Sequence, residues 1–157
     1  MIRENIAEFT KGEFAKENKE KELQIEEVVL LLKPGASQYE KRLCAFLTRK
    51  NLNMLNRREI VFNKQTLLDF YPGAEEKITK RNPDSDINQI VDEWANYFSE
   101  EPVIALLIQG KNAFEITSRL KKRVRGILKL NRPRDGLHSS ENAPEAEHEK
   151  RVVGFEN

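Results

Sequence analysis

Residues Glu26–Ser37 read EEVVLLLKPGAS. Val28–Leu32 is an unbroken apolar run, closed at once by Lys33, Pro34 and Gly35. A run that short, ended by turn residues, predicts a strand covered on both faces. Ser37 follows the turn and Glu40 stands three residues later, the spacing of a capping box at the start of a helix. Tyr39, Leu43, Phe46 and Leu47 then supply that helix with a buried stripe. Strand, tight turn and capped helix in one passage predict a mixed fold, with a sheet as its centre.

The rest of the chain extends the pattern. Asn51–Asn53 breaks the helix, and LNMLNRREIVF predicts a second strand over Leu55–Phe62 with imperfect alternation. Asn63 caps a short helix through Tyr71. PGAEEKITKRNPDSD, Pro72–Asp86, reads as a long loop with two prolines. Ile87, Ile90, Val91, Trp94, Tyr97 and Phe98 keep helical spacing. PVIALLI at Pro102–Ile108 predicts another buried strand, with Gly110 breaking it. Asn112 and Glu115 are placed to cap a helix carrying Ala113, Ile116 and Leu120, and GILKL at Gly126–Leu130 reads as a last strand. From Arg132 the chain is polar and reads as loop, with a short helix near Ala143–Lys150. The order fits an α+β sandwich of βαββαβ type with an added helix.

At 157 residues the chain is the size of one domain. Residues 1–25 read as a charged N-terminal extension, in which Ile2, Ile6 and Phe9 keep helical spacing, and residues 26–157 as the domain proper. Charged residues make up 34% and the formal net charge is +1, so any electrostatic pull on a partner is local. The single cysteine, Cys44, excludes an intramolecular disulfide, and in RLCAFL it reads as core. Val28–Leu32 is far too short to cross a bilayer, and no secretory leader is visible. The expectation is a soluble, cytoplasmic protein with no membrane partner.

Arg119 to Arg134 is densely basic, with Lys121, Lys122, Arg123, Arg125, Lys129 and Arg132 between, and no acid before Asp135. Nucleic acid would favour interleaved aromatics as stacking platforms, and there are none. A small polyphosphate needs only converging cations, for which arginine gives bidentate geometry. Lys33, at the end of a buried strand, points the same way. His138 lies just beyond the basic run in DGLHSSENAPEAEHE, Asp135–Glu149. Imidazole is a nucleophile near neutral pH. For phosphoryl transfer it needs one nitrogen facing phosphorus, a partner fixing the other, and cations around the phosphates. Glu141, Glu145, Glu147 and Glu149 are candidates for that partner.

The chain resembles the nucleoside diphosphate kinases. LLLKPGA is similar to the family's first strand and its Lys-Pro turn. EPVIALLIQGKNA is similar to its Gly-Pro-Val-Val strand and the Glu-Gly-x-Asn-Ala after it, and VRGIL to its Ile-Arg-Gly-Asp-Phe. DGLHSSENAPEAEHE is the most specific, with His138, Ser140, Ala146 and Glu149 in the family's spacing. The resemblance implies a ferredoxin-like βαββαβ domain with a four-stranded antiparallel sheet. It implies ping-pong exchange of the γ-phosphate between nucleoside triphosphates and diphosphates. By resemblance His138 is the phosphorylated residue, through Nδ1. Glu149 orients it and Ser140 is the hydroxyl beside it. Lys33, Tyr71, Arg119, Arg125 and Asp135 fall at nucleotide-binding positions. Mg²⁺ would arrive with the nucleotide, without dedicated protein ligands, and further copies of the chain are expected partners.

Departures from the family pattern define the alternative. Asp135 stands where the family has asparagine, and Ile127-Leu128 where it has Asp-Phe. RLKKRVRG is shorter than the family's matching segment, which carries a phosphate-binding threonine and a further arginine. Arg119 is one residue off the arginine's spacing. Pro72–Asp86 is an insertion where the base is covered, and Ile90 falls nearest the family's base-stacking phenylalanine. These changes also suit a catalytically weak, kinase-like module that binds nucleotides or proteins.

Overall fold

The structure is a computed structural model that describes residues 24–128 and 136–156. The predicted helix around Ile2–Phe9 lies outside the described residues, as do Lys129, Arg132, Arg134 and Asp135. In chain order the elements are β1 (Ile25–Leu32), a 3₁₀ turn (Ser37–Tyr39), α1 (Glu40–Arg49), β2 (Asn53–Ile60) and α2 (Lys64–Phe70). They continue with α3 (Ala74–Arg81), α4 (Ile87–Phe98), β3 (Val103–Lys111), α5 (Ala113–Leu128), β4 (Leu137–Ser139) and α6 (Ala143–Val153). The four strands form one antiparallel sheet in the order β2-β3-β1-β4. This is the expected α+β architecture.

β1 is central, which is why its sequence is apolar without alternation. Val28, Leu30 and Leu32 pack with Leu43 and Leu47 of α1 and Ala113 and Leu120 of α5. Val29 and Leu31 face the other layer, among Leu67 and Phe70 of α2, Phe98 of α4 and Val153 of α6. All five strand residues are fully buried. Each such side chain contributes about 1.5–3 kcal/mol by leaving water. At the sheet's edge, β2 is almost wholly exposed and carries a bulge between Met54 and Asn56. The extra residue, Leu55, accounts for the imperfect alternation.

Several expectations need correction. Pro72–Asp86 is not a loop, because α3 occupies its centre. Gly73 enters with φ 74°, Glu75 and Glu76 hold the first turn, and Lys80 and Arg81 the last. That charge order favours the helix dipole, and the prolines lie outside the helix. The second strand runs Asn53–Ile60, two residues earlier than read. Gly110 does not break β3, which continues to Lys111. A side chain there would collide with Leu52, so the glycine serves a close approach. GILKL does not begin as a strand: Gly126–Leu128 is the last turn of α5. The capping box is not formed either. Ser37 Oγ donates to Glu101, while Glu40 takes Arg57 Nε at 2.5 Å, so both side chains have partners elsewhere in the fold. The first-turn amide of Phe114 is met by Glu26 of β1 at 3.0 Å, while Glu115 pairs with Arg119 instead of capping α5.

Other local readings hold. Asn63 caps α2 by accepting from Thr66 N at 2.8 Å. Asp86, read only as the end of a loop, caps α4 in the same way through Asn88 N. Cys44 is half-buried against the core, and burial pushes its thiol above the usual value. Among the described residues no helix is long and apolar enough to cross a membrane.

Candidate active site

The polar tail contains a strand that the sequence reading missed. β4 is only three residues long, and it pairs with β1 so that His138 lies opposite Leu31. Ser140 extends the junction: its N–H donates to Val29 O at 3.1 Å, and its Oγ accepts from Val29 N at 3.0 Å. His138 is therefore mounted on the sheet beside its central strand, a rigid support for a group that must be aimed. α6 starts directly afterwards. Asn142 caps it by accepting from Glu145 N at 2.9 Å, and Pro144 sits in the first turn. Arg58 of β2 donates to the terminal carbonyls of Val153 and Gly154 and fastens the far end.

The buried face of α6 is Ala146, Glu149, Lys150 and Val153. Glu149 occupies a core position and is 1% exposed. A carboxyl there is tolerable only when hydrogen-bonded. One oxygen lies 2.6 Å from His138 Nε2, and the other accepts from Ser140 Oγ at 2.5 Å. Burial, the largest influence, pushes its pKa up to about 7, against the opposing Ser140 hydrogen bond and the nearby charges of His148 and Lys121. Glu145, one turn earlier, is also raised, first by burial and further by Glu149. Ligand atoms of His138, Glu145 and Glu149 lie within 4.8 Å of one another, a spacing that suits a shared proton or a cation. Phe70 and Tyr71 meet the His138 ring edge-on, with centroids 5.0 Å and 5.2 Å away.

His138 lines a cavity of about 1110 Å³, large enough for a nucleotide-sized ligand. Lys33, Lys121 and Arg125 line it together with Tyr71 and Ser139. Lys33 is 6% exposed, and its Nζ stands 5.7 Å from the Phe98 ring centroid. Its turn is held by Tyr97, whose hydroxyl donates to Pro34 O, and by Glu101, which accepts from Gly35 N. α3 and α4 also contribute to the lining, with Ile78, Ile90 and Trp94 as their apolar part and Lys77 and Arg81 as their cations. Trp94 packs on Tyr71 at 4.9 Å.

Of the residues singled out from the sequence, His138, Glu149 and Ser140 are brought together, and Lys33, Tyr71 and Arg125 share the cavity. Arg119 does not join them. Its side chain is 78% exposed, pairs with Glu115 one turn away, and is not part of the cavity lining. Lys121 was only one cation in a run, yet it is buried and faces the cavity. Its four-residue spacing from Arg125 is the signal that would have found it, once α5 is carried to Leu128. His148 also reaches the cavity, with Nε2 donating to Asp69 O at 2.6 Å. It ties α6 to α2.

No family model matches the chain, and no curated protein matches it in sequence. Solved structures do. The nucleoside diphosphate kinase of Pyrobaculum aerophilum superposes with a TM-score of 0.67 at 19% identity, over 82% of this chain and 95% of that one. That of Encephalitozoon cuniculi gives 0.65 at 17% identity, over 81% and 87%. The Borrelia burgdorferi enzyme, solved as a transition-state mimic with bound vanadate and ADP, gives 0.64 at 15%, over 82% and 86%. At such identities the likeness shows the fold: this chain is folded as the nucleoside diphosphate kinases are.

Proposed function

We propose that the protein is a nucleoside diphosphate kinase, which moves the γ-phosphate of a nucleoside triphosphate to a nucleoside diphosphate through a phosphohistidine at His138. The observation that carries this is the hydrogen-bonded chain His138–Glu149–Ser140 at the wall of a cation-lined cavity. With Glu149 ionised, Nε2–H donates to its carboxylate, and Nδ1 carries the lone pair that attacks phosphorus. The Nδ1–P bond forms as the bond to the β-phosphate oxygen breaks. The bonding pair leaves on that oxygen with the nucleoside diphosphate, and the ring becomes cationic. Glu149 stabilises that cation, and its low exposure strengthens the attraction. A second nucleoside diphosphate reverses the step.

Lys33 and Arg125 bind the polyphosphate, and Tyr71 lies beside the group in transit. Mg²⁺ bound to the nucleotide would neutralise part of the phosphate charge, and Glu145, beside His138 in the cavity lining, is an oxygen donor suited to such a hard cation. The wall of Ile78, Ile90 and Trp94 supports the base by apolar contact, which distinguishes bases poorly. Met54 and Leu55, both about half exposed on edge strand β2, are candidates to meet another copy.

The test is incubation with MgATP. It is expected to give an acid-labile, base-stable phosphate that added nucleoside diphosphate removes. His138→Ala abolishes the label and His148→Ala keeps it. A second reading, a nucleotide-binding module with little turnover, is favoured by Glu145, a second carboxyl beside His138 where the γ-phosphate would approach. ATP binding with no phosphohistidine after long incubation selects that reading.

A further inference from the structure

α5 packs on the sheet through Ala113, Thr117, Leu120, Lys121 and Val124, the spacing of a helix's inward stripe. Lysine is foreign to such a position, since a buried ammonium normally requires close carboxylate partners. Lys150 shows what that looks like. It is also buried, with Glu147 at 2.6 Å and Glu27 at 2.7 Å. Lys121 is 7% exposed, and its paired carboxylate, Glu141, stands 3.7 Å away with a side chain 69% exposed. Lys150 is a structural ion pair. Among the described residues Lys121 is a buried cation with one loose, solvated partner, and it lines the cavity that holds His138.

We propose that Lys121 is a phosphate-contacting residue of this site, whose ammonium holds the oxygens of a nucleotide's polyphosphate. It stands one helical turn before Arg125, so a single face of α5 presents two cations to the cavity. A rigid helix thereby supplies charge that a loop would otherwise have to bring in. During transfer Lys121 neither gives up nor takes a proton. It compensates charge on the phosphoryl oxygens while the Nδ1–P bond forms and the P–O bond to the leaving diphosphate breaks. Glu141 swings to solvent when the phosphates enter, which its exposure permits. The proposal deepens the phosphotransfer reading, but requires only that the cavity accept a polyphosphate.

The experiment compares the full-length wild type with Lys121→Gln, Lys121→Met and, as control on the exposed side of the same helix, Lys122→Gln. Calorimetry measures binding of inorganic pyrophosphate and of ADP with Mg²⁺, and thermal melting checks folding. The methionine variant keeps the apolar stem in place, so a folding defect of the glutamine variant does not decide the outcome. Both Lys121 variants are expected to bind each probe about tenfold or more weakly, the loss of one charge-assisted contact, while Lys122→Gln binds as wild type. Phosphohistidine formation at saturating ATP should slow in parallel. Unchanged affinity in a folded Lys121 variant overturns the proposal, as does a wild type that binds neither probe. If wild type forms no phosphohistidine but pyrophosphate binding still depends on Lys121, the proposal stands and the phosphotransfer reading falls.

Discussion

Replacing Glu149 with glutamine should stabilise the fold while removing the function, and the gain should depend on pH in a defined way. Burial raises the Glu149 carboxyl from 4.5 to about 7. Between those values the folded chain holds a proton that the unfolded chain has lost. Stability therefore falls as pH rises from about 4.5 to about 7 and is level above it. The gap is worth about 3 kcal/mol. Glutamine is close in shape to the protonated acid and does not titrate. Glu149→Gln should thus exceed wild type by about 1 kcal/mol at pH 5 and about 3 kcal/mol at pH 8. Urea unfolding of both proteins at the two pH values, read by circular dichroism, measures the difference of differences. The neighbouring Glu145 titrates in both proteins, so the contribution from its burial cancels and only the part that Glu149 adds does not. A difference that does not change with pH would refute burial as the dominant influence on Glu149. A reversed trend would mean that ionised Glu149 is stabilised by a protonated His138 ring, and the proton assignment used above would be wrong.

Three further outcomes follow from the same geometry. Nδ1 is nucleophilic only while ionised Glu149 accepts from Nε2, so single-turnover phosphorylation of His138 by MgATP should fall as pH drops through about 7. Trp94 is the one tryptophan and lines the cavity, so ADP should change its fluorescence, and a titration without change would place the nucleotide elsewhere. Gly110→Ala sets a methyl against Leu52 and the Asn51 carbonyl, and should destabilise by about 1–3 kcal/mol in chemical denaturation.

The parts of the fold that were legible are those whose cause is local. Val28–Leu32 is apolar on both faces because both faces are covered, and Asn63 caps the helix that follows it. The failures each needed information from elsewhere. Two prolines made Pro72–Asp86 look like a loop, although AEEKITKR between them has helix-forming residues and the right charge order. Gly110 looked like a break because its role depends on Leu52 across the sheet. β4 is polar at its centre and three residues long; it is a strand because β1 offers it an edge, which nothing in LHS announces.

The same distinction governs the site. His138, Ser140 and Glu149 fall within twelve residues, so a strand-to-helix passage is enough to bring them together, and the resemblance to the family's motif singled them out. The cavity's cations come from distant elements, and there the sequence misled. Arg119 was favoured by its place in the family pattern, but it lies on the solvent side of α5, where Glu115 takes it up. Lys121, two residues on, turns inward by the helix's own geometry. Reading GILKL as a strand cut α5 short and hid the relation between Lys121 and Arg125. An uninterrupted helix makes them neighbours on one face. The positive charge that α5 brings to the cavity is therefore set by where the helix ends, and a helix breaker such as Gly126→Pro should move Arg125 away from the cavity while leaving Lys121 in place.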